Sequence, residues 1–147
     1  MNLKTTSFDQ LSPADIYKIL QLREKVFVLE QTCLYKDIDD IDYKAWHSFI
    51  EVENNVVCYA RIFEKDIENS IVQIGRVVTD INYRHKGLAT EILKESIRIA
   101  KEIFSAKAIY LEAQVYAIPL YASLGFEIIS DEFLEDGIPH VKMLQKV

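Results

Sequence analysis

Between Tyr83 and Thr90 the chain reads YRHKGLAT. Arg84, His85 and Lys86 stand directly before Gly87, one of only 4 glycines in 147 residues, and a long amphipathic run follows at once. The first turn of a helix leaves backbone N–H groups unpaired and carries the positive end of the helix dipole, so a basic turn placed there suits a phosphate. Glycine at such a turn lets a ligand come close to the backbone. On these residues alone, a glycine-eased helix start with solvated basic side chains is the competing reading. Neither GxxxxGK[ST] nor GxGxxG is present, which excludes two other phosphate loops.

Groups able to move protons lie elsewhere. Tyr121 stands four residues before Gly125 on a short apolar stretch. A phenol with an ordinary pKa of about 10 stays protonated at neutral pH and can donate; a core aromatic is the plainer alternative. His140 follows Gly137-Ile138-Pro139, a rigid turn that delivers it to a strand start. An ordinary histidine pKa near 6.5 suits a proton acceptor, although a hydrogen-bonded structural histidine fits equally well. Glu30, His47 and Glu112 are the other candidates for a general base. Asp37, Asp39, Asp40 and Asp42 lack the loop glycine and the twelfth-position glutamate of a calcium loop, so no metal is expected. They read as a solvated acidic loop able to attract a cationic amine. Cys33 and Cys58 have neither CxxC nor metal-type spacing, and nothing nearby marks Cys33 as reactive.

These groups sit in a chain the size of one domain, with 50% hydrophobic and 27% charged residues. We expect residues 1–147 to form a single domain. The net charge of −6 disfavours nucleic acid, which needs a clustered basic face. The first residues lack the apolar core of a signal peptide, and no apolar run approaches the roughly 18 residues of a membrane span. A cytoplasmic protein with free thiols, and no membrane partner, is the simplest expectation.

The elements that must position the site follow from periodicity. Leu3 to Phe8 reads as a strand. Ser12-Pro13-Ala14-Asp15 is a capped helix start, with helical apolar spacing from Ile16 to Phe27 and on to Glu30. Residues 31–46 read as irregular and acid-rich. His47–Glu53 and Val56–Glu64 form a hairpin around Asn54-Asn55, and Ser70–Thr79 is a further strand. A second amphipathic helix starts at Leu88. Ala108–Ala113 is a buried strand, Ile118–Leu124 a short helix closed by Gly125, and Phe126–Ser130 and Ile138–Leu144 are the last strands. This β-α-β-β-β-α-β-α-β-β order is mixed α/β, without the strict alternation of a dinucleotide-binding fold.

Arg84-His85-Lys86-Gly87-Leu88-Ala89 matches [QR]-x-x-G-x-[GA] and so resembles the coenzyme A pyrophosphate loop of the GNAT family of N-acetyltransferases. Gln114, seven residues before Tyr121, and Tyr121-Ala122-Ser123-Leu124-Gly125-Phe126 resemble a later signature of the same family. LREKVFVLEQ (residues 22–31), Ile74-Gly75-Arg76-Val77-Val78, Glu112-Ala113-Gln114 and Glu135-Asp136-Gly137-Ile138-Pro139-His140 are similar to its ElaA-type subgroup. The matches sample residues 22–143. Gln114 replaces the family's usual asparagine. Pro119 falls within the short helix, which is expected to be tight or irregular there.

The resemblance implies a GNAT fold, with a central, mostly antiparallel mixed sheet flanked by helices and an acyl-CoA cleft between splayed middle strands. It implies acetyl-CoA as cosubstrate and direct transfer of its acetyl group, in a ternary complex, to the primary amine of a small molecule or peptide. By the same resemblance, Val77, Val78 and Thr79 run beside the pantetheine arm. Arg84, His85, Lys86, Gly87, Leu88, Ala89 and Thr90 hold the pyrophosphate, with Gln114 and Tyr121 also at the cofactor. Tyr121 is the implied acid toward the thiolate, with His140 or Glu30 as base, though some members use a water chain. Arg23, Phe27, Glu30, Gln31 and His47 would line the acceptor side. A non-catalytic acyl-CoA-binding module of the same fold is the alternative. Exposed strands near the C-terminus leave a homodimer open.

Overall fold

The computed structural model describes residues 2–147. Strand β1 (Asn2–Ser7) leads into helix α1 (Pro13–Arg23). Ser12 caps α1 as its sequence predicts. The Asp15 N–H donates to Ser12 Oγ at 3.0 Å and the Ser12 N–H donates back to Asp15 Oδ2 at 3.2 Å, a reciprocal cap worth about 1 kcal/mol. The helical spacing continues to Glu30 as expected, but Glu24–Glu30 is wound as a π-helix. The wider turn still buries Val26 and Phe27.

β2 (Trp46–Val52), β3 (Asn55–Asp66) and β4 (Ile71–Thr79) form an antiparallel meander. The hairpin turn is Glu53-Asn54, both at positive φ, with Val52 facing Asn55. It lies one residue before the predicted Asn54-Asn55, because Asn54 takes the left-handed position that asparagine tolerates. Helix α2 (Leu88–Glu102) follows, then β5 (Ala108–Gln114), α3 (Ile118–Ser123), β6 (Glu127–Ile128), β7 (Phe133–Glu135) and β8 (Ile138–Lys146). β7 is one strand more than the periodicity predicts. It is too short to show an alternation, and it pairs only with the start of β8. Pro119 stands in the first turn of α3, where its missing N–H costs nothing, so the helix is not distorted as expected.

The sheet runs β1-β2-β3-β4-β5-β8-β6, with β7 beside β8, and only β4–β5 is parallel. One core packs α2 and α3 on a face of the sheet around Ile62, Ile74, Ile92, Leu93, Ile109 and Met143. The other packs α1 and the π-helix on the opposite face around Ile19, Leu22, Phe27, Phe49 and Tyr59. Burying each such side chain stabilises the fold by about 1.5–3 kcal/mol.

Two irregularities in β4 build the site. Its parallel pairing with β5 covers only Ile71–Gln73 against Ala108–Tyr110, after which the strands part. Further along, β3–β4 pairing slips between Tyr59 and Arg61, and Arg76 stands at φ +51° in this bulge. The extra residue reverses the alternation. Ile74 therefore packs with α2 and Val78 with α1, although they stand four positions apart, a spacing that would share a face in a regular strand.

Candidate active site

The gap between β4 and β5 opens a cleft of about 870 Å³ that reaches both faces of the sheet. One half is made by β4 and the start of α2. Val77, Val78, Thr79, Arg84, His85, Gly87, Leu88, Ala89 and Thr90 all line it. Gly87 is the α2 N-cap at φ +79°, and no side chain caps the helix. Its first N–H groups therefore lack a side-chain acceptor at the cleft wall, and open space surrounds the place where a Cβ would stand. This arrangement fits an anion carried by an extended ligand. Lys86 does not line the cleft; its Nζ lies over the Tyr83 ring, 5.3 Å from the centroid.

Tyr121 comes from α3, and its position explains the spacing to Leu124-Gly125-Phe126. The Phe126 N–H donates to the Tyr121 carbonyl at 3.2 Å and the Gly125 N–H to Ala122 O at 3.1 Å, with Gly125 at φ +97°. This left-handed cap fixes the helix end. Phe126 then packs edge-on against the Tyr121 ring, 6.2 Å between centroids. The Tyr121 side chain is only 6% exposed. Among the described residues the sealed side-chain polar atoms without a partner are Arg61 Nε and Gln145 Oε1. The Tyr121 hydroxyl is not one of them and makes no protein hydrogen bond, so it opens on the cleft it lines. Burial, then the neighbouring Tyr116, push its pKa well above the ordinary phenol value. It is a proton donor at neutral pH.

The other half of the cleft lies on the α1 face, and Phe27, Gln31, Glu112, Gln114 and His140 all reach it. Gln114 Nε2 donates to Gln31 Oε1 at 3.2 Å, joining β5 to the end of the π-helix. His140 is 8% exposed and its ring stacks on Phe133. Its Nδ1 lies 2.7 Å from the Ile138 carbonyl. A carbonyl only accepts, so Nδ1 carries the hydrogen and the neutral ring keeps its Nε2 lone pair free. A Glu135 carboxylate oxygen lies 3.7 Å from Nε2.

Arg23 and His47, expected at the acceptor side, lie away from the cleft. Arg23 is 1% exposed and donates to Asp37 Oδ2 at 3.0 Å, to the Asp37 carbonyl at 2.6 Å and to Asp42 Oδ1 at 2.8 Å. His47 is 2% exposed. Its Nε2–H donates to the Asp42 carbonyl at 2.9 Å, and its Nδ1 accepts from the Tyr59 hydroxyl at 2.6 Å. Both are structural. Glu30 is no free base either, because Arg84 Nη1 and Nη2 donate to its two oxygens at 2.8 and 2.9 Å.

The aspartate segment also differs from the solvated loop its composition suggests. Asp37, Asp39 and Asp42 are neutralised by Arg23, Arg61 and Arg76. Arg61 holds Asp39 with two contacts of 2.7 Å. Burial pushes the Asp39 pKa up, but the Arg61 hydrogen bonds and charge, with Arg76, outweigh it and hold the group below the usual range. Arg76 reaches Asp37 Oδ1 at 2.9 Å and packs on the Tyr35 ring, 4.8 Å from its centroid. The bulged residue of β4 thus anchors the loop whose Tyr35, Asp39 and Ile41 line the cleft. Arg61 and Tyr35 escaped the sequence reading, and Arg76 entered it only as part of the Ile74–Val78 motif, with no role of its own. The aspartate partners of Arg61 and Arg76 lie 19 to 39 positions away, and the one local signal of the ion-pair network was the repeated aspartate.

A bulged central strand, a parting from its parallel neighbour and an uncapped helix at the mouth match the splayed-strand cleft that the resemblance to the GNAT family implies. The chain belongs to that family: the acetyltransferase (GNAT) domain model matches residues 9–147. Among individual proteins, it is 41% identical to a UPF0039 protein of Schizosaccharomyces pombe, over 92% of this chain and 91% of that one. It is 35% identical to Protein ElaA of Escherichia coli, over 94% and 92% of the two chains. The crystal structure of E. coli ElaA superposes with a TM-score of 0.93, covering 99% of each chain. An acyl-CoA N-acyltransferase from Pseudomonas aeruginosa superposes with a TM-score of 0.91 at 28% identity, again over 99% of each. Among the described residues no helix is long and apolar enough to cross a membrane, and no cluster of metal-ligating side chains occurs.

Proposed function

We propose that the chain is an acetyl-CoA-dependent N-acetyltransferase, moving an acetyl group to a primary amine by direct transfer in a ternary complex. The observation that carries this reading is the Tyr121 hydroxyl, buried, protonated and without a protein partner on the cleft wall. Family membership and the likeness to an acyl-CoA N-acyltransferase support it.

The chain's own groups divide the work. The N–H groups at the start of α2 and the turn at Gly87 hold the pyrophosphate. β4 from Ile74 to Thr79, left without a β5 partner, offers main-chain hydrogen bonds to the pantetheine arm in the manner of an added strand. The backbone N–H of Val77 or Val78 donates to the acyl oxygen as negative charge grows there, a contact typically worth about 10²–10³ in rate. His140 Nε2 takes a proton from the attacking amine. The new C–N bond forms as the C–S bond breaks, and Tyr121 gives its proton to the departing sulfur.

Coenzyme A release from acetyl-CoA across amines, amino acids and peptides tests this. Tyr121→Phe is expected to lower kcat by about 10²–10⁴-fold with acetyl-CoA binding kept. Tight acetyl-CoA binding without turnover on any acceptor would instead support a binding module.

A further inference from the structure

Two charged side chains of the π-helix reach one short segment, and the winding of that helix explains how. Lys25 Nζ donates to Asp80 Oδ2 at 2.8 Å, and the two Glu30 oxygens accept from the terminal nitrogens of Arg84 at 2.8 and 2.9 Å. Lys25 and Glu30 stand five positions apart. In an α-helix such residues point about 140° away from each other. In a π-helix a five-residue step closes one turn, as the 2.8 Å bond from the Gln31 N–H to the Val26 carbonyl does here. Both side chains therefore meet the segment that joins β4 to α2.

That segment is also braced from within. The Asn82 N–H donates to Asp80 Oδ1 at 2.9 Å, the Tyr83 N–H to the Asp80 carbonyl at 2.9 Å, and Arg84 Nε to the Thr79 carbonyl at 3.0 Å. Arg84 thus spends three of its five N–H groups on being held, and two remain at the cleft wall, three residues before Gly87 at the uncapped start of α2. The Glu30–Arg84 pair does little for stability. Its side chains are 36% and 31% exposed, and ion pairs so exposed add little to folding. What two parallel bonds between a carboxylate and a guanidinium supply is direction.

We propose that Glu30 is a positioning residue for the coenzyme: through Arg84 it holds the β4–α2 turn in the shape that receives the pyrophosphate, with Lys25 on Asp80 as the second point of the clamp. This rests on the acetyl-CoA reading above and deepens it. Glu30 moves from the acceptor side, where its place in the chain suggested a base, to the cofactor side. An arginine fixed before the ligand arrives loses little further side-chain freedom on binding. The π-winding is what brings both ends of the clamp to the turn.

Calorimetric titration of coenzyme A into the full chain, Glu30→Gln, Arg84→Gln and the double variant tests the proposal without needing turnover. The sign is diagnostic. Glu30→Gln removes a negative charge near the phosphate site, so charge alone would tighten binding. Positioning instead raises Kd by about two- to tenfold, the cost of immobilising one long side chain. In the Arg84→Gln background the same substitution should leave Kd unchanged, because Glu30 acts through Arg84; a merely structural glutamate would not show that dependence. Circular dichroism establishes that the variants are folded. Unchanged or tighter binding in Glu30→Gln, or an equal loss in both backgrounds, overturns the proposal and leaves the acetyl-CoA reading standing. No binding of coenzyme A by the unaltered chain would overturn both.

Discussion

Tyr121 and His140 are placed by different local rules, and each makes its own kinetic prediction. Tyr121 owes its position to the left-handed cap at Gly125, where a Cβ would stand 2.5 Å from Gln145 Nε2. Gly125→Ala should therefore lower stability by about 1–3 kcal/mol through backbone strain and carry Tyr121 out of line; a kcat equal to wild type would refute that dependence. A base works only when unprotonated, so activity should fall as pH is lowered. His140→Gln should abolish that limb of the kcat/KM profile while leaving acetyl-CoA affinity unchanged. His47 makes a different pH prediction. Burial, helped by Arg23 and Arg61 and opposed by Asp42, lowers its pKa in the folded chain. The unfolded chain takes up that proton first, near pH 6.5. Its contribution is complete above that pH and declines as pH falls toward the folded value. Urea midpoints between pH 7.5 and 5.5 should show the decline, with a flatter dependence in His47→Gln. The sequence alone marks Tyr121, Gly87 and His140 as candidates because each sits in a local pattern. It cannot show that His47, an equally plausible base, is sealed between Tyr59 and the Asp42 carbonyl.

At the level of elements, β4 decides the site. Its apolar, β-branched residues mark it as a strand, but alternation does not reveal a bulge, because one inserted residue alters only which face each side chain meets. Arg76 at the bulge holds the Asp37–Asp39 loop. Arg76→Ala should cost about 1.5–3 kcal/mol, the range for hydrogen bonds to charged groups, and raise KM for the amine with little change in acetyl-CoA binding. A rise confined to the acetyl-CoA KM would contradict this. The capped start of α1 and the amphipathic run of α2 were legible because both signals are local. The π-helix and β7 were not. The first keeps the same apolar residues in the core as an α-helix, and the second has only β8 to define it.

For the whole molecule, the proposed cosubstrate gives a simple thermal test. Acetyl-CoA at 100 times its Kd should add about 2.7 kcal/mol, a rise in Tm of about 5–10 °C for a domain of this size. No shift would argue against the cleft as a coenzyme site. The mixed sheet was readable because element order constrains topology, whereas the depth of the cleft depends on where two strands cease to pair. That parting has a mechanical consequence. Among the described residues, strand pairing joins the meander β1–β4 to the group β5–β8 only at Ile71–Gln73 and Ala108–Tyr110, a short seam that the Lys107 N–H to Ser70 carbonyl bond extends by one step. Any ligand lying along Ile74–Thr79 and touching β5 acts as a suture between two half-sheets. Hydrogen exchange should be fast at Ile74–Thr79 relative to Ile71–Gln73 in the free chain. With acetyl-CoA bound, protection should spread into Leu111–Gln114 on the far side of the seam, so that catching the first substrate also stiffens the wall against which the second one docks.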